Sequence, residues 1–247
     1  MIRLKKTEFT WRLPKKVVYK TQHANSGNQL MDVLLIFGAF ALLFGGGLWY
    51  SKHAAKKRRE GFIEAAEQMG LQSYPDGDSE LTNRFAGFKL FSKGRARKMK
   101  NVVQGDSGEV KIAIFDYQYT TGSGKQTRTH YQSVVSLQSQ QIQCPDFTMR
   151  PEGMLDKIGS AIGLQDIDFD SHPNFSKMFV LKSSNEPAIR EYFKPALLEF
   201  FETKKGISVE AAHGALFFYR PSKKIKPEEL KDYLTQAYEV YGAMVDQ

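Results

Sequence analysis

The hydropathy pattern opens with a block that has no polar face. Val33 to Tyr50 reads VLLIFGAFALLFGGGLWY, eighteen residues without a charge. As a helix it is about 27 Å long, enough for a thin bilayer core. Its Leu, Ile, Phe and Val residues contribute an insertion term of about −3 to −6 kcal/mol, partly eroded by four glycines. Trp49 and Tyr50 close one end, where amphipathic rings favour the headgroup level. A buried core helix rarely runs this far without a polar face. A cleaved leader fits poorly, because bulky rings stand where small cleavage-site residues would be needed. The pattern predicts a transmembrane anchor over residues 30–50.

Beyond it the period changes. Residues 51–70 predict a basic juxtamembrane helix, with Phe62, Ala65, Ala66 and Met69 on one face and Gly70 as its stop. YPDGDSE is a turn, Ser79 to Ala86 a short helix, and GFKLFSKG a strand. NVVQG and EVKIAIFDYQY flank a hairpin turn at Asp106-Ser107-Gly108. TRTHYQSVVSLQ and DFTMRPE follow as strands, then a short helix over Met154 to Ile162. DIDFD and FSKMFVLKS also predict strands. Glu186 to Lys205 predicts a helix broken at Pro195, and ISVEAAHGALFFYR a hairpin about Gly214. A last helix starts at Pro227, with Leu230, Tyr233, Leu234, Ala237, Tyr238 and Tyr241 in 3.6-residue periodicity.

These elements make an α+β fold, one N-terminal transmembrane helix followed by antiparallel hairpins and packed helices. The expected organisation is a basic tail (1–29), the span (30–50), the juxtamembrane helix (51–70), a β-rich subdomain (71–165) and an α+β subdomain (166–247).

Charge sharpens the membrane reading. Residues 1–60 hold twelve Lys/Arg against three acids, whereas the other 187 residues hold 23 bases and 24 acids. A nucleic-acid binder carries its positive field on the folded domain, so nucleic acid is not an expected partner. Lys52, Lys56, Lys57, Arg58 and Arg59 follow the span, against Lys15, Lys16 and Lys20 before it. Positive charge resists translocation, which places the C-terminal domain in the cytosol. The same five residues can attract anionic headgroups, at about 1 kcal/mol each. Lys93, Arg95, Arg97, Lys98 and Lys100 form a second run without an acid, either a solvated face or another lipid contact, the latter through Lys93, Arg95 and Arg97. Ala41 and Gly45 form a small-xxx-small pair of the kind that lets two spans dimerise.

Candidate chemistry mostly fails inspection. GSGK at 122–125 lacks the P-loop spacing, lacks Ser or Thr after the lysine, and precedes a strand-like run. It is the tip of a hairpin. Pairing about Gly122-Ser123 puts Ile112, Ile114, Asp116, Tyr131 and Val135 on one face. Phe115, Tyr117, Tyr119, Arg128 and His130 lie on the other. That second face either holds an anionic or aromatic partner or is covered by the C-terminal helices. The acids at 166, 168 and 170 open like an EF-hand, but Ser171 and Lys177 stand where its Gly and Glu belong. Five histidines show no ligand spacing, the lone Cys144 makes no thiolate set, and no G-x-S-x-G elbow is present. No cofactor or metal is expected.

FDYQYTTGSGKQTRTHYQSV, MRPEG, QDIDFDS and FSKMFVLKSSNEPAIREYFKPALLEFF together resemble a bacterial family of membrane-anchored proteins. Its members pair one or two spans with a soluble domain of unknown function. The resemblance covers about Phe62 to Arg220 and implies the bacterial cytoplasmic membrane, without bringing a reaction. The expected function is a single-pass, non-catalytic interaction module that binds a protein or anionic lipid beside the bilayer. The alternative is a membrane-tethered hydrolase using Asp116 and His130.

Overall fold

The computed structural model describes residues 26–153 and 165–246. The chain divides into two units, Met1–Lys52 and His53–Gln247. Helix α1 (Ser26–Met69) supplies the described residues of the first. There Leu34 to Phe37, Phe44 and Leu48 to Tyr50 are 55–69% exposed. Among the described residues, this stretch of α1 is long and apolar enough to cross a membrane by length and composition, with mean hydropathy 2.0.

In the second unit, the last turns of α1 bury Phe62 and Ala66. Gly70, at φ 68°, ends the helix: its amide bonds the Glu67 carbonyl and that of Leu71 the Ala66 carbonyl. Only a residue tolerant of the left-handed region closes the helix this way. The chain then builds β1 (Gln72–Tyr74), the short helices α2 (Ser79–Arg84) and α3 (Lys89–Ser92), and the long strands β2 (Arg95–Asp106), β3 (Lys111–Thr121) and β4 (Arg128–Gln138). After β5 (Phe147–Pro151) come α4 (Pro173–Met178), β6 (Phe179–Lys182), α5 (Glu186–Tyr192), α6 (Pro195–Glu202), the hairpin β7 (Ser208–Ala212) and β8 (Ala215–Tyr219), and α7 (Leu230–Val245).

Among the described residues, eight strands join one antiparallel sheet, in the order β1-β2-β3-β4-β8-β7-β5-β6. Two-residue alternation builds both of its faces. Val103, Ile114, Val135, Phe218, Val209, Met149 and Leu181 are successive cross-strand partners in one apolar row. This first face forms a core with Phe62, Phe201, Leu230, Tyr233 and Val240 from α1, α6 and α7. The second face carries Phe115, Tyr117, Val134 and Phe217, packed with Leu81, Phe85, Phe88 and Phe91.

Several expectations need correction. GFKLFSKG is not a strand: its Lys89–Ser92 segment is α3, capped by the buried Glu210 carboxylate, which accepts from the Leu90 amide at 2.8 Å and from that of Lys89. DIDFD lies outside the sheet, where the Asp166 carboxylate accepts from the Leu181 amide on β6. FSKM belongs to α4, and only Phe179–Lys182 is strand. Segments 71–165 and 166–247 are not separate subdomains, because β4 pairs with β8 across that boundary. The β3–β4 register is also shifted. Thr121 pairs with Arg128, so the turn centres on Gly124-Lys125 and not on Gly122-Ser123. Gly122 is nevertheless required: at φ 74°, a Cβ there would stand 2.2 Å from the Gln126 carbonyl oxygen. The hairpin about Gly214 fits its prediction, with His213 and Gly214 both at positive φ in a two-residue loop. The helix expected over Met154 to Ile162, residues 1–25 of the basic tail and the side chain of Ala41 lie outside the described residues.

Candidate functional site

The site grows from one buried carboxylate. Asp116 stands on the first face of β3, where alternation directs a side chain into the core. A lone charge there would carry a desolvation penalty of several kcal/mol. Arg58 of α1 meets it with two hydrogen bonds, Nε to Oδ2 at 2.6 Å and Nη2 to Oδ1 at 2.7 Å. Ser133 Oγ donates to Oδ1 at 2.9 Å and Asn101 Nδ2 to Oδ2 at 2.9 Å. Lys224 Nζ lies farther off, 3.4 Å from Oδ2. Burial works to raise the Asp116 pKa. The hydrogen bonds and charge of Arg58, then Lys224 and Asn101, more than offset it and hold the carboxyl below its ordinary range.

Around this hub opens a cleft of about 460 Å³. Its lining holds six bases (Lys56, Arg58, Arg59, Lys98, Lys100 and Lys224) against two acids, Asp76 and Asp116. Arginine takes up both acids, since Arg59 Nη1 reaches Asp76 Oδ1 at 2.8 Å as Arg58 reaches Asp116. The four lysines come from α1, β2 and the loop before α7. They leave the cleft strongly cationic.

Two irregularities in β2 gather these charges. Its pairing with β3 shifts between Arg95 and Lys98 and again between Lys100 and Val103, around Ala96 and Asn101 at φ 51° and 49°. Unbroken alternation back from Val103 would send Lys98 and Lys100 into the aromatic second face. The bulge at Asn101 reverses this. Met99 enters the second-face core, and Lys98 and Lys100 stand opposite Gln118 and Asp116 on the first face. Asn101 thus turns the strand with its backbone and fastens the hub with its amide. Asparagine tolerates the left-handed region better than most residues.

The structure distributes the sequence-predicted residues unevenly. Lys56, Arg58 and Arg59 line the cleft, Lys57 is exposed on α1 outside the lining, and Lys52 belongs to the first unit. Arg95 Nη1 donates to the Gly122 carbonyl and Arg97 Nη1 to that of Phe91, both at 2.5 Å, and Lys93 is also outside the lining. Those arginines brace the hairpin tip and α3. Tyr117 and Tyr119 are 3% and 7% exposed and pack in the second-face core, although Tyr117 also contributes to the cleft lining. The cover over Tyr117 comes from Phe91 of α3, at 4.8 Å between ring centres, and not from the C-terminal helices, which pack on the first face. Arg128 is exposed beside the hairpin tip. His130 stacks on Tyr119 at 4.8 Å and bonds Thr121 Oγ1 and Ser222 Oγ. It lies on the face opposite Asp116, so the carboxylate–histidine pair of the hydrolase alternative does not assemble. Among the described residues, no group of His, Cys, Asp and Glu is arranged to hold a metal ion.

Sequence reasoning missed Asn101, Lys224, Tyr131 and Asp76 as cleft residues, and read Lys98 and Lys100 only as members of a charge run. The Lys-Met-Lys alternation at 98–100 was the available signal for the last two.

No family model matches the chain, and no curated protein matches it. One solved structure resembles it, the crystal structure of the mycobacterial trehalose monomycolate transport factor A, TtfA. It is 15% identical with a TM-score of 0.53, over 78% of this chain and 93% of that one. The likeness is one of fold.

Proposed function

We propose that this protein is a single-pass, membrane-anchored, non-catalytic module whose α+β domain binds anionic lipid headgroups beside the bilayer, through the Lys56–Lys98–Lys100–Lys224 cleft. The observation that carries this reading is the excess of lysines around a hub whose acids arginine has already taken up. Arg58 is eight residues from Tyr50 at the end of the apolar stretch, a tether of at most about 28 Å even when fully extended.

The test uses the full chain in nanodiscs and lysine acetylation read by mass spectrometry. Acetylation of Lys98 and Lys100 should slow several-fold when a neutral bilayer is exchanged for an anionic one. The difference should collapse in about 1 M salt, where the screening length is about 3 Å. Equal rates in both bilayers would overturn the reading.

The excess of basic residues after the span supports a cytosolic domain in the bacterial cytoplasmic membrane. Cys144 is a poor probe of that orientation: it is half-buried, and burial, with the Asp146 carboxylate, pushes its thiol up to about 11. The thiolate is the reactive form, so maleimide should label it slowly at neutral pH. Lys125→Cys, at the exposed hairpin tip, should label quickly and only after lysis. Labelling in intact spheroplasts would reverse the orientation.

A further inference from the structure

Three features of the cleft bear on which anion it takes. The first is charge. Four ammonium groups line about 460 Å³; Lys56 has the exposed Glu60 at 3.8 Å and Lys224 has Asp116 at 3.4 Å, which still leaves Lys98 and Lys100 uncompensated and the lining positive in excess. A monoanion compensates that excess only in part, whereas a phosphate monoester carries about −1.5 to −2 charges at neutral pH.

The second is donor geometry. The planar forks of Arg58 and Arg59, the groups best matched to a carboxylate, are committed to Asp116 and Asp76. What remains is lysine, a compact charge with three rotatable donors that suits oxygens disposed as a tetrahedron. Among the described residues, no ion pair reaches Lys98 or Lys100.

The third is Lys224. Its 3.4 Å approach to Asp116 is the longest on that carboxylate, whose oxygens already accept from Arg58, Ser133 and Asn101. Lys224 can therefore swing to an incoming oxygen while the hub stays intact. The Asn101 bulge points the same way, since a left-handed backbone is used to bring Lys98 and Lys100 onto this face. Strained backbone of this kind concentrates at ligand sites.

We infer that the cleft is a receptor for a phosphate monoester, presented as a lipid headgroup, in preference to a singly charged phosphodiester. The inference rests on the anionic-headgroup reading above and narrows it. Lys98 and Lys100 grip the terminal phosphate from β2, Lys56 from α1, and Lys224 closes from the loop before α7.

The experiment extends the acetylation footprint of the full chain to a headgroup series. One set of nanodiscs is neutral phosphatidylcholine, a second contains phosphatidylglycerol, and a third contains phosphatidate, the two anionic sets being matched in surface charge. A fourth sample is the neutral disc with soluble glycerol 3-phosphate. Lys98, Lys100 and Lys224 should be acetylated about tenfold more slowly with phosphatidate than in the neutral disc, and only about two- to threefold more slowly with phosphatidylglycerol. The exposed Lys177, outside the cleft, should respond equally to both. In Lys100→Ala, phosphatidate should protect Lys98 and Lys224 less, while the urea midpoint of the variant shows that it is folded.

Equal protection by the two anionic lipids would overturn the monoester inference and leave the anionic-headgroup reading standing. No protection by either would overturn both. Protection by soluble glycerol 3-phosphate without protection by phosphatidate would keep the phosphate chemistry and overturn its lipid source.

Discussion

Asp116→Ala should lower the stability of the domain by about 3–5 kcal/mol, the range for removing one partner from a buried ion pair. The Asp116 and Arg58 side chains are only 10% and 17% exposed. With the carboxylate gone, the guanidinium keeps a single hydrogen bond to Ser133 Oγ, at 3.2 Å, and its contact over the Phe62 ring. Asn101 loses its acceptor, and the cationic cleft loses the charge that balances it. The consequence reaches α1, because Arg58 and Phe62 attach that helix to the sheet. At about 2–4 °C per kcal/mol for a domain of this size, the melting temperature should fall by about 10 °C. Urea unfolding at neutral pH measures the loss directly, and a drop under about 1 kcal/mol would show that the pair is not structural.

The same residue predicts a pH dependence of definite sign. Its pKa is depressed in the folded state, so the unfolded chain binds the proton more readily. The stabilisation is complete above the ordinary carboxylate value of about 3.9 and is lost as pH falls through the lower folded value. The wild-type protein should lose this contribution at the acid end, and Asp116→Asn should flatten that part of the curve.

Much of the sheet was legible because both of its faces are apolar. Alternation over Lys111–Thr121 and Arg128–Gln138 predicts β3 and β4 with the correct residues on each face, even though the register about the turn was displaced. Parity survives a shift by an even number of residues. What alternation could not show was which helix covers which face. Phe85, Phe88 and Phe91 are spaced by three, a helical signature too short to separate from a strand in GFKLFSKG. Hydrogen bonding decides that segment, since Glu210, 120 residues away, caps its amides.

The cleft was hidden for a different reason. Counting charges beyond residue 60 gives near neutrality, which conceals how they are sorted in space. Lys98 and Lys100 join Lys224 only because the strand slips at Asn101, and no composition rule places a bulge there. The arginines were legible as a basic cluster but misread in role. Two of the five residues assigned to the membrane surface are paired by the domain's own acids, Arg58 with the buried Asp116 and Arg59 with the exposed Asp76.

The second face gives the other large effect. Phe85→Ala should cost about 3–5 kcal/mol, the range for truncating a fully buried phenylalanine. Its ring is 1% exposed and lies 4.7 Å from that of Phe217, edge to face, and 6.0 Å from that of Phe115. Beside the rings, the segment 79–92 is held to the sheet by a few polar contacts, among them Arg97 Nη1 on the Phe91 carbonyl. Asp78 caps α2 through the Leu81 amide and Glu210 caps α3, whereas Tyr117 Oη, Gln132 Nε2, Ser136 Oγ and Ser208 Oγ on this buried face have no hydrogen-bond partner in the protein. Each such group costs about 1–3 kcal/mol. The aromatic cluster must outweigh them, and Phe85, ringed by Phe88, Phe91, Phe115 and Phe217, is its centre. Hydrogen exchange separates the two ways it can fail. If the segment unfolds with the sheet, amides throughout β3 and β4 lose protection along with Leu90, and the urea midpoint falls by the full amount. If protection is lost only over 79–92 and the midpoint holds, the segment opens alone and the expected loss of global stability is wrong. We expect the first, because the rings of Phe85, Phe91, Phe115 and Phe217 interlock across the boundary between the segment and the strands.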